Sequence, residues 1–308
     1  MRGEMGGVKT VAIILNGISL KKDYFYIKIL PALQHVAKVH VHETRTRHDA
    51  ISLASKAVEK RYDVIYAAGG DGTLNQVVNG MLAGNENTYK LPVLGLIPLG
   101  SGNDYARTVN IKSDAGHIIG LLMGFAAKPV DVGRITFTGE PDKPVCYFIN
   151  IADVGMGPQV VKRLLDSGRV FGTTLTYYTA ILQTFATYRL QTITVKTPQW
   201  SWQGKARVVA VGNGRFFGSG IGITPEAIPD DGLFNCCIGG RVSAFDFLKL
   251  QGKMRSGRRV VHPLVHYNQA QLVELTSDKP CMIEADGELA GNLPVTIEML
   301  PGRLNFLW

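Results

Sequence analysis

Short apolar runs alternate with segments whose apolar residues recur at helical spacing over the first third of the chain. Val8–Leu15, Val39–Val41, Val64–Ala68 and Val93–Ile97 read as buried strands, and Tyr24–Val36, Ala50–Lys60 and Thr73–Ala83 as the helices between them. Strands that are apolar on both faces need cover on both faces, so this grammar predicts a parallel sheet flanked by helices. In such sheets ligands bind at the carboxyl ends of the strands. The glycine-rich runs fall there, directly after the strands ending at Ala68 and Ile97.

From about Asp131 the pattern changes. Arg134–Phe137, Val145–Ile151, Gln191–Val195, Arg207–Val211, Leu233–Ile238, Gln271–Leu275 and Cys281–Glu284 are strand-like and are joined by turns. That succession predicts a mainly antiparallel β-sandwich or barrel-like second domain. Two helices interrupt it, Thr174–Tyr188 and Ala244–Met254, the latter with Ser243 as its N-cap. The expected organisation is an α/β domain over residues 1–130 and a β-rich domain over 131–294. No repeat, low-complexity tract or Pro/Ser linker separates them, so a cleft between closely joined domains is expected.

Composition narrows the class. The chain has 308 residues, 45% apolar and 19% charged, which suits a folded protein and excludes disorder. No apolar run is long enough to span a bilayer and none reads as a signal peptide. Cys146, Cys236, Cys237 and Cys281 lack paired spacing and read as reduced thiols of a cytoplasmic protein. The formal charge of +8 favours anionic partners, nucleotides and acidic membrane surfaces among them. Its densest cluster is Lys249, Lys253, Arg255, Arg258 and Arg259, with no RNA-binding signature beside it, so nucleic acid is not an expected partner. That cluster reads equally as a solvated helix face or a patch for peripheral contact with an anionic membrane.

The chemistry concentrates in Ala68-Gly69-Gly70-Asp71-Gly72-Thr73-Leu74-Asn75, set between a strand and a helix. Glycines there let backbone N–H groups approach phosphate oxygens at a helix N-terminus. Asp71 adds a carboxylate where Mg²⁺ rides with phosphates, and Thr73 adds a hydroxyl. Three glycines around one acid exceed what a plain strand-to-helix turn needs. The run is neither the dinucleotide G-x-G-x-x-G nor the P-loop pattern. A second run, Pro98-Leu99-Gly100-Ser101-Gly102-Asn103-Asp104, also follows a strand and opens a helix. The histidines form no convincing metal spacing, and Ser219 lacks the strand-to-helix setting of an esterase nucleophile. Tyr177, Tyr178, Phe185 and Tyr188 on the Thr174–Tyr188 helix read as core packing, with a lipid-lining role as the alternative.

These two loops in this order resemble the catalytic domain of the diacylglycerol kinase family, which includes bacterial lipid kinases and the sphingosine and ceramide kinases. The resemblance extends over nearly the whole chain, through Thr44-Arg45-Thr46-Arg47-His48-Asp49-Ala50, Asn150-Ile151-Ala152-Asp153-Val154-Gly155-Met156-Gly157, Asp230-Asp231-Gly232-Leu233 and Glu284-Ala285-Asp286-Gly287-Glu288. It implies that ATP is contacted by Thr44, by Ala68, Gly69, Gly70, Asp71, Gly72, Thr73 and Leu74, and by Ser101. A structural Mg²⁺ would be held by the Asp231 carboxylate and the carbonyls of Ile228 and Leu233. Glu288 would be the base acting on a lipid hydroxyl, with Asp286 close by. The chain end, 295–308, would return to the first domain. The sequence departs from the family at Asn16-Gly17-Ile18-Ser19, which lacks the usual proline, and at His48, Gln76, Ser101 and Asn235.

The expected activity is transfer of the γ-phosphate of ATP to a lipid hydroxyl, diacylglycerol or a relative. The alternatives are a soluble-substrate kinase of the NAD kinase type and a silent nucleotide- or lipid-binding regulator. Asp286 and Glu288 are two residues apart, so on an extended strand both carboxylates would lean to one side. No motif reads the lipid headgroup or the oligomeric state.

Overall fold

The apolar run after Lys9 forms β1 (Thr10–Leu15), which pairs in parallel with β2 (Lys38–Glu43) on one side and β3 (Val64–Gly69) on the other. β4 (Val93–Pro98) follows beside β3, again in parallel. β3 and β4 are buried along their whole length, as strands covered on both faces must be, whereas β2 lies at the sheet edge and is half exposed. The helices are α1 (Lys22–Tyr24) and α2 (Leu30–Gln34), joined by a wider turn over Phe25–Ile29, then α3 (Asp49–Glu59), α4 (Asp71–Leu82), α5 (Asp104–Thr108) and α6 (Ala115–Gly124). α3 and α4 touch closely because Gly80 has no side chain: a Cβ there would lie 2.2 Å from the Ile51 carbonyl oxygen.

The computed structural model describes residues 8–85, 90–166 and 174–308. They divide into two units, Met1–Val130 with Leu304–Trp308, and Asp131–Arg303.

β5 (Ala127–Thr136) leads into the second unit, whose further strands are β6 (Cys146–Phe148), β7 (Ile151–Gly155), β8 (Gln191–Lys196), β9 (Ser201–Ala206), β10 (Val208–Gly212), β11 (Phe216–Phe217), β12 (Ile221–Gly222) and β13 (Phe234–Gly239). They continue as β14 (Val265–Ala270), β15 (Leu272–Ser277), β16 (Met282–Ala285), β17 (Glu288–Asn292) and β18 (Val295–Leu307). One antiparallel sheet has the order β14-β13-β10-β7-β16-β17, and a second runs β18-β15-β8-β9. Period-two alternation sorts the first sheet's residues. Val209, Val211, Phe234, Cys236, Ala152 and Ile283 enter the core shared with Val273, Leu275 and Ile297 of the second sheet. The intervening residues, Ile151, Ala210 and Cys237 among them, face the three helices α7 (Met156–Asp166), α8 (Thr174–Thr187) and α9 (Ala244–Arg255).

Three differences from the sequence reading have local causes. α7 begins at Met156-Gly157-Pro158, which looks like a breaker, yet proline is tolerated in a first helical turn because its missing N–H has no partner there anyway. β9 and β17 carry few apolar residues and escape a pattern based on hydrophobicity. Val295 does not return to the first unit: Val295–Glu298 pair with Leu272–Leu275, and only Leu304–Trp308 belong with the α/β unit, where Phe306 pairs with Leu94. The N-cap at Ser243 is present as a full capping box with Asp246.

Candidate active site

Four loops at the carboxyl ends of β1 to β4 converge in the α/β unit. Gly17 N–H donates to the Thr44 hydroxyl at 3.1 Å, and the Ser19 hydroxyl donates to the Leu99 carbonyl at 3.0 Å. The amides of Leu99 and Gly100 donate to the Gly69 carbonyl at 2.9 and 3.2 Å. A Cβ on Gly100 would stand 2.4 Å from the Gly70 Cα, so the two glycine-rich loops touch backbone to backbone. The Asp49 carboxylate accepts from the amides of Arg45 and Thr46 at 2.7 and 2.8 Å, which closes the loop carrying Thr44.

Asp71 has a duty that its motif does not reveal. Its Oδ2 and Oδ1 accept the N–H groups of Asp104 and Tyr105, each at 3.0 Å, so the first loop's acid caps the helix that the second loop opens. Burial raises its carboxyl above the usual range, and those amides pull it back down. Asn103, in the left-handed region at φ 52°, clamps its own loop by accepting from Gly100 N–H and donating to the Gly100 carbonyl. Of the residues expected at the nucleotide, Ala68, Gly69 and Leu74 are buried, Thr44, Gly70, Asp71, Gly72 and Thr73 are half-buried and Ser101 is exposed.

In the β-rich unit, Asp286 and Glu288 are not neighbours on one extended strand. Asp286 and Gly287 have φ of 51° and 86° and form the two-residue turn between β16 and β17, with Glu288 paired to Ala285 as the first residue of β17. Two successive positive φ values are what a tight hairpin of right-handed twist requires, and Asp-Gly supplies them. The buried Asp286 carboxylate accepts three amides, Ile149 and Asn150 at 3.0 Å and Ile151 at 2.9 Å. Glu288 is half-buried beside this anchored turn.

The same sheet brings Asp153 of β7 opposite Glu284 of β16. Both are interior, 1% and 3% exposed. Glu284 Oε2 accepts from Gly287 N–H at 2.6 Å, whereas neither Asp153 oxygen meets a donor group among the described residues. Two abutting buried carboxyls satisfy one another only by sharing a proton. Burial pushes the Asp153 carboxyl up to about 8, and burial followed by repulsion from Asp153 raises Glu284 well above the carboxylate range.

The loop 228–233 is held by Asp131, whose oxygens accept from Gly232 and Gly302 N–H at 2.7 Å each. Asp231 Oδ1 accepts from Leu233 N–H at 3.0 Å, Gly232 turns the chain at φ 74°, and Ile228 is exposed. Burial, then repulsion from Asp230, raises the Asp231 carboxyl. Among the described residues no three His, Cys, Asp or Glu side chains are arranged to hold a metal ion, so any ion here depends on backbone carbonyls.

Beneath α7, α8 and α9 lies an apolar cavity of about 100 Å³, lined by Met156, Val160, Ile181, Phe185, Phe247 and Met254, with Asp153 and Tyr177 also on its wall. Of the aromatic series on α8, Tyr177 and Phe185 reach this cavity, while Tyr178 stacks under the Arg255 guanidinium at 4.6 Å.

Residues 10–135 match the diacylglycerol kinase catalytic domain model, and 151–308, half of the chain, match the YegS C-terminal NAD kinase beta sandwich-like domain model. A probable lipid kinase YegS-like protein of Xanthomonas euvesicatoria is 30% identical over 300 residues, 95% of this chain and 94% of that one. The chain belongs to the diacylglycerol kinase and YegS-like lipid kinase family. A diacylglycerol kinase of Staphylococcus saprophyticus is 29% identical, with 80% of this chain and 77% of that protein covered. The fold is also that of a putative diacylglycerol kinase from Bacillus anthracis, with a TM-score of 0.78 at 22% identity over 98% of both chains.

For this lipid kinase family member, the residues without a role in the sequence reading are Gly17, Ser19, Asn103, Asp153 and Glu284. The first three act through backbone contacts that no residue pattern announces. Asp153 and Glu284 lie inside recognised motifs, but 131 positions separate them and only strand register sets them side by side. Their pairing has a measurable consequence. Carboxyls raised on folding keep a proton that the unfolded chain gives up near pH 4, so their contribution to stability is full at low pH and is lost as pH rises towards about 8. Asp153→Asn replaces the shared proton with an amide donor. Its melting temperature is expected to fall less than the wild type's between about pH 5 and pH 9; parallel curves would rule out a shared proton.

Proposed function

We propose that the protein is an ATP-dependent lipid kinase that moves a γ-phosphate onto a lipid hydroxyl. The observation that carries the lipid half of this reading is the apolar cavity beneath α7, α8 and α9, because a hydrocarbon chain needs apolar walls and a soluble acceptor does not. Family membership supports the kinase half. ATP is assigned to the convergent loops, with backbone N–H groups of Gly69 to Gly72 and the start of α4 facing its phosphates, and Thr44, Thr73, Leu74 and Ser101 around them. Leu74 and Ala68 contribute backbone and packing, since both side chains are buried.

Mg²⁺ fits the loop 228–233 by its donor chemistry, hard carboxylate and carbonyl oxygens in a tight turn where Asp131, Asp230 and Asp231 repel one another. Asp231 and the carbonyls of Ile228 and Leu233 would hold it, and a divalent ion supplies charge neutralisation there. Glu288 is assigned as the base that takes the proton of the attacking hydroxyl. Asp286 is assigned a positioning role, holding the turn from which Glu288 projects.

Incubation with γ-labelled ATP, Mg²⁺ and a total lipid extract is expected to give a labelled lipid on chromatography, with the label abolished by excess chelator. Label on NAD instead of lipid would overturn the lipid assignment, and full transfer in chelator would overturn the metal requirement.

A further inference from the structure

α9 has two apolar faces. Phe247, Leu250 and Met254 line the cavity on its inner side. On the outer side Phe245 is 63% and Leu248 47% exposed, and Val261 in the segment beyond is 82% exposed. Single exposed apolar residues are ordinary, but these recur within one short stretch and are interleaved with cations. From Ala244 to Val273 the chain carries Lys249, Lys253, Arg255, Arg258 and Arg259 and a single acid, Asp246, which is engaged in the Ser243 capping box and lies beside His262. Arg255 is stacked on Tyr178 and Arg259 pairs with Glu226 at 3.2 Å, whereas Lys249, Lys253 and Arg258 make no salt bridge among the described residues. The Lys249 ammonium sits 4.2 Å over the Phe245 ring, which leaves cation and ring together on the surface.

We propose that the outer face of α9 and the following segment through Val261 form a docking surface for an anionic phospholipid bilayer. Phe245, Leu248 and Val261 enter the headgroup region, and Lys249, Lys253 and Arg258 meet the lipid phosphates. The occupant follows from complementarity in both respects at once. A bilayer interface offers hydrocarbon beneath a layer of phosphate, which matches apolar residues ringed by cations. A nucleic acid would use the cations and leave the apolar residues in water. A second copy meeting this face across a twofold axis would bring like charges together. The surface rests on the lipid kinase reading for its purpose, since one helix then bounds both bilayer and cavity.

The test uses the full chain without ATP or added substrate. Sedimentation with phosphatidylglycerol vesicles is expected to retain the protein, with at least about tenfold weaker binding to pure phosphatidylcholine and release as salt rises. Phe245→Trp adds an indole to the native Trp200, Trp202 and Trp308, and its emission, taken as the difference from the wild-type protein, is expected to shift to the blue with phosphatidylglycerol vesicles only. Phe245→Asp combined with Leu248→Asp, at exposed positions where the fold is retained, is expected to weaken binding about tenfold or more at an unchanged melting temperature. An unshifted emission from the Phe245→Trp protein, or unaltered vesicle binding by the double variant, overturns the proposal. So does a dimer in light scattering that the double variant dissolves, or preferential binding of duplex DNA. A chain that docks by this face yet labels no lipid sinks the kinase reading alone, and one that labels detergent-dispersed lipid yet ignores vesicles sinks the docking surface alone.

Discussion

Glu288→Gln is expected to slow phosphoryl transfer by about 10² to 10⁴ while ATP binding stays within a few-fold. Gln keeps the length and shape of the side chain and removes its ability to take a proton, so a loss confined to turnover isolates base chemistry from positioning. The geometry makes the test clean. Glu288 begins β17 directly after the Asp286-Gly287 turn, and the Asp286 carboxylate fastens that turn to residues 149–151 by three amide hydrogen bonds. Replacing Glu288 therefore leaves the hairpin's main anchor intact. Single-turnover rates and nucleotide affinity, measured on protein with an unchanged melting temperature, decide the matter. A rate within about threefold of wild type would mean that Glu288 only closes the hairpin.

Asp286→Ala is expected to cost about 3 to 5 kcal/mol of folding stability, at the upper end of what single substitutions do. Three buried N–H groups lose a charged acceptor at once, and each orphaned donor costs roughly 1 to 3 kcal/mol. Alanine must also hold φ near 51°, in the left-handed region that favours Gly, Asn and Asp. Relief of repulsion with the adjacent Glu284 offsets part of the loss. Asp286→Asn retains an acceptor oxygen and tolerates that backbone conformation, so it is expected to lose distinctly less. Chemical denaturation of both variants provides the measurement. If Asp286→Asn kept full stability but lost turnover as Glu288→Gln does, Asp286 would be acting on the substrate instead of on the turn.

The strands β1, β3 and β4 were legible because burial on both faces leaves a continuous apolar run, and the Ser243 cap because its signal lies within four residues. The two loops after β3 and β4 were legible as glycines at strand ends. The helix-capping duty of Asp71 was not, because its partners, the amides of Asp104 and Tyr105, lie more than thirty residues away in the chain. The geometry of the Asp286–Glu288 pair was not legible either, because Asp-Gly makes a two-residue turn where spacing alone suggests a continuing extended strand.

The sequence by itself determined the α/β and antiparallel halves and the glycine loops, since these are written in local composition and short spacing, and its motifs carried the resemblance to the family. Tertiary structure decided which groups meet. The pairing of Asp153 with Glu284, the closure of an apolar cavity under three helices and the doubling of α9 into an inner and an outer apolar face all depend on strand register and packing. Residues distant in the chain share an environment only once the sheet is built, and it is that environment, by excluding water from two carboxyls and leaving cations and aromatic rings on the surface, that gives ordinary side chains their unusual chemistry.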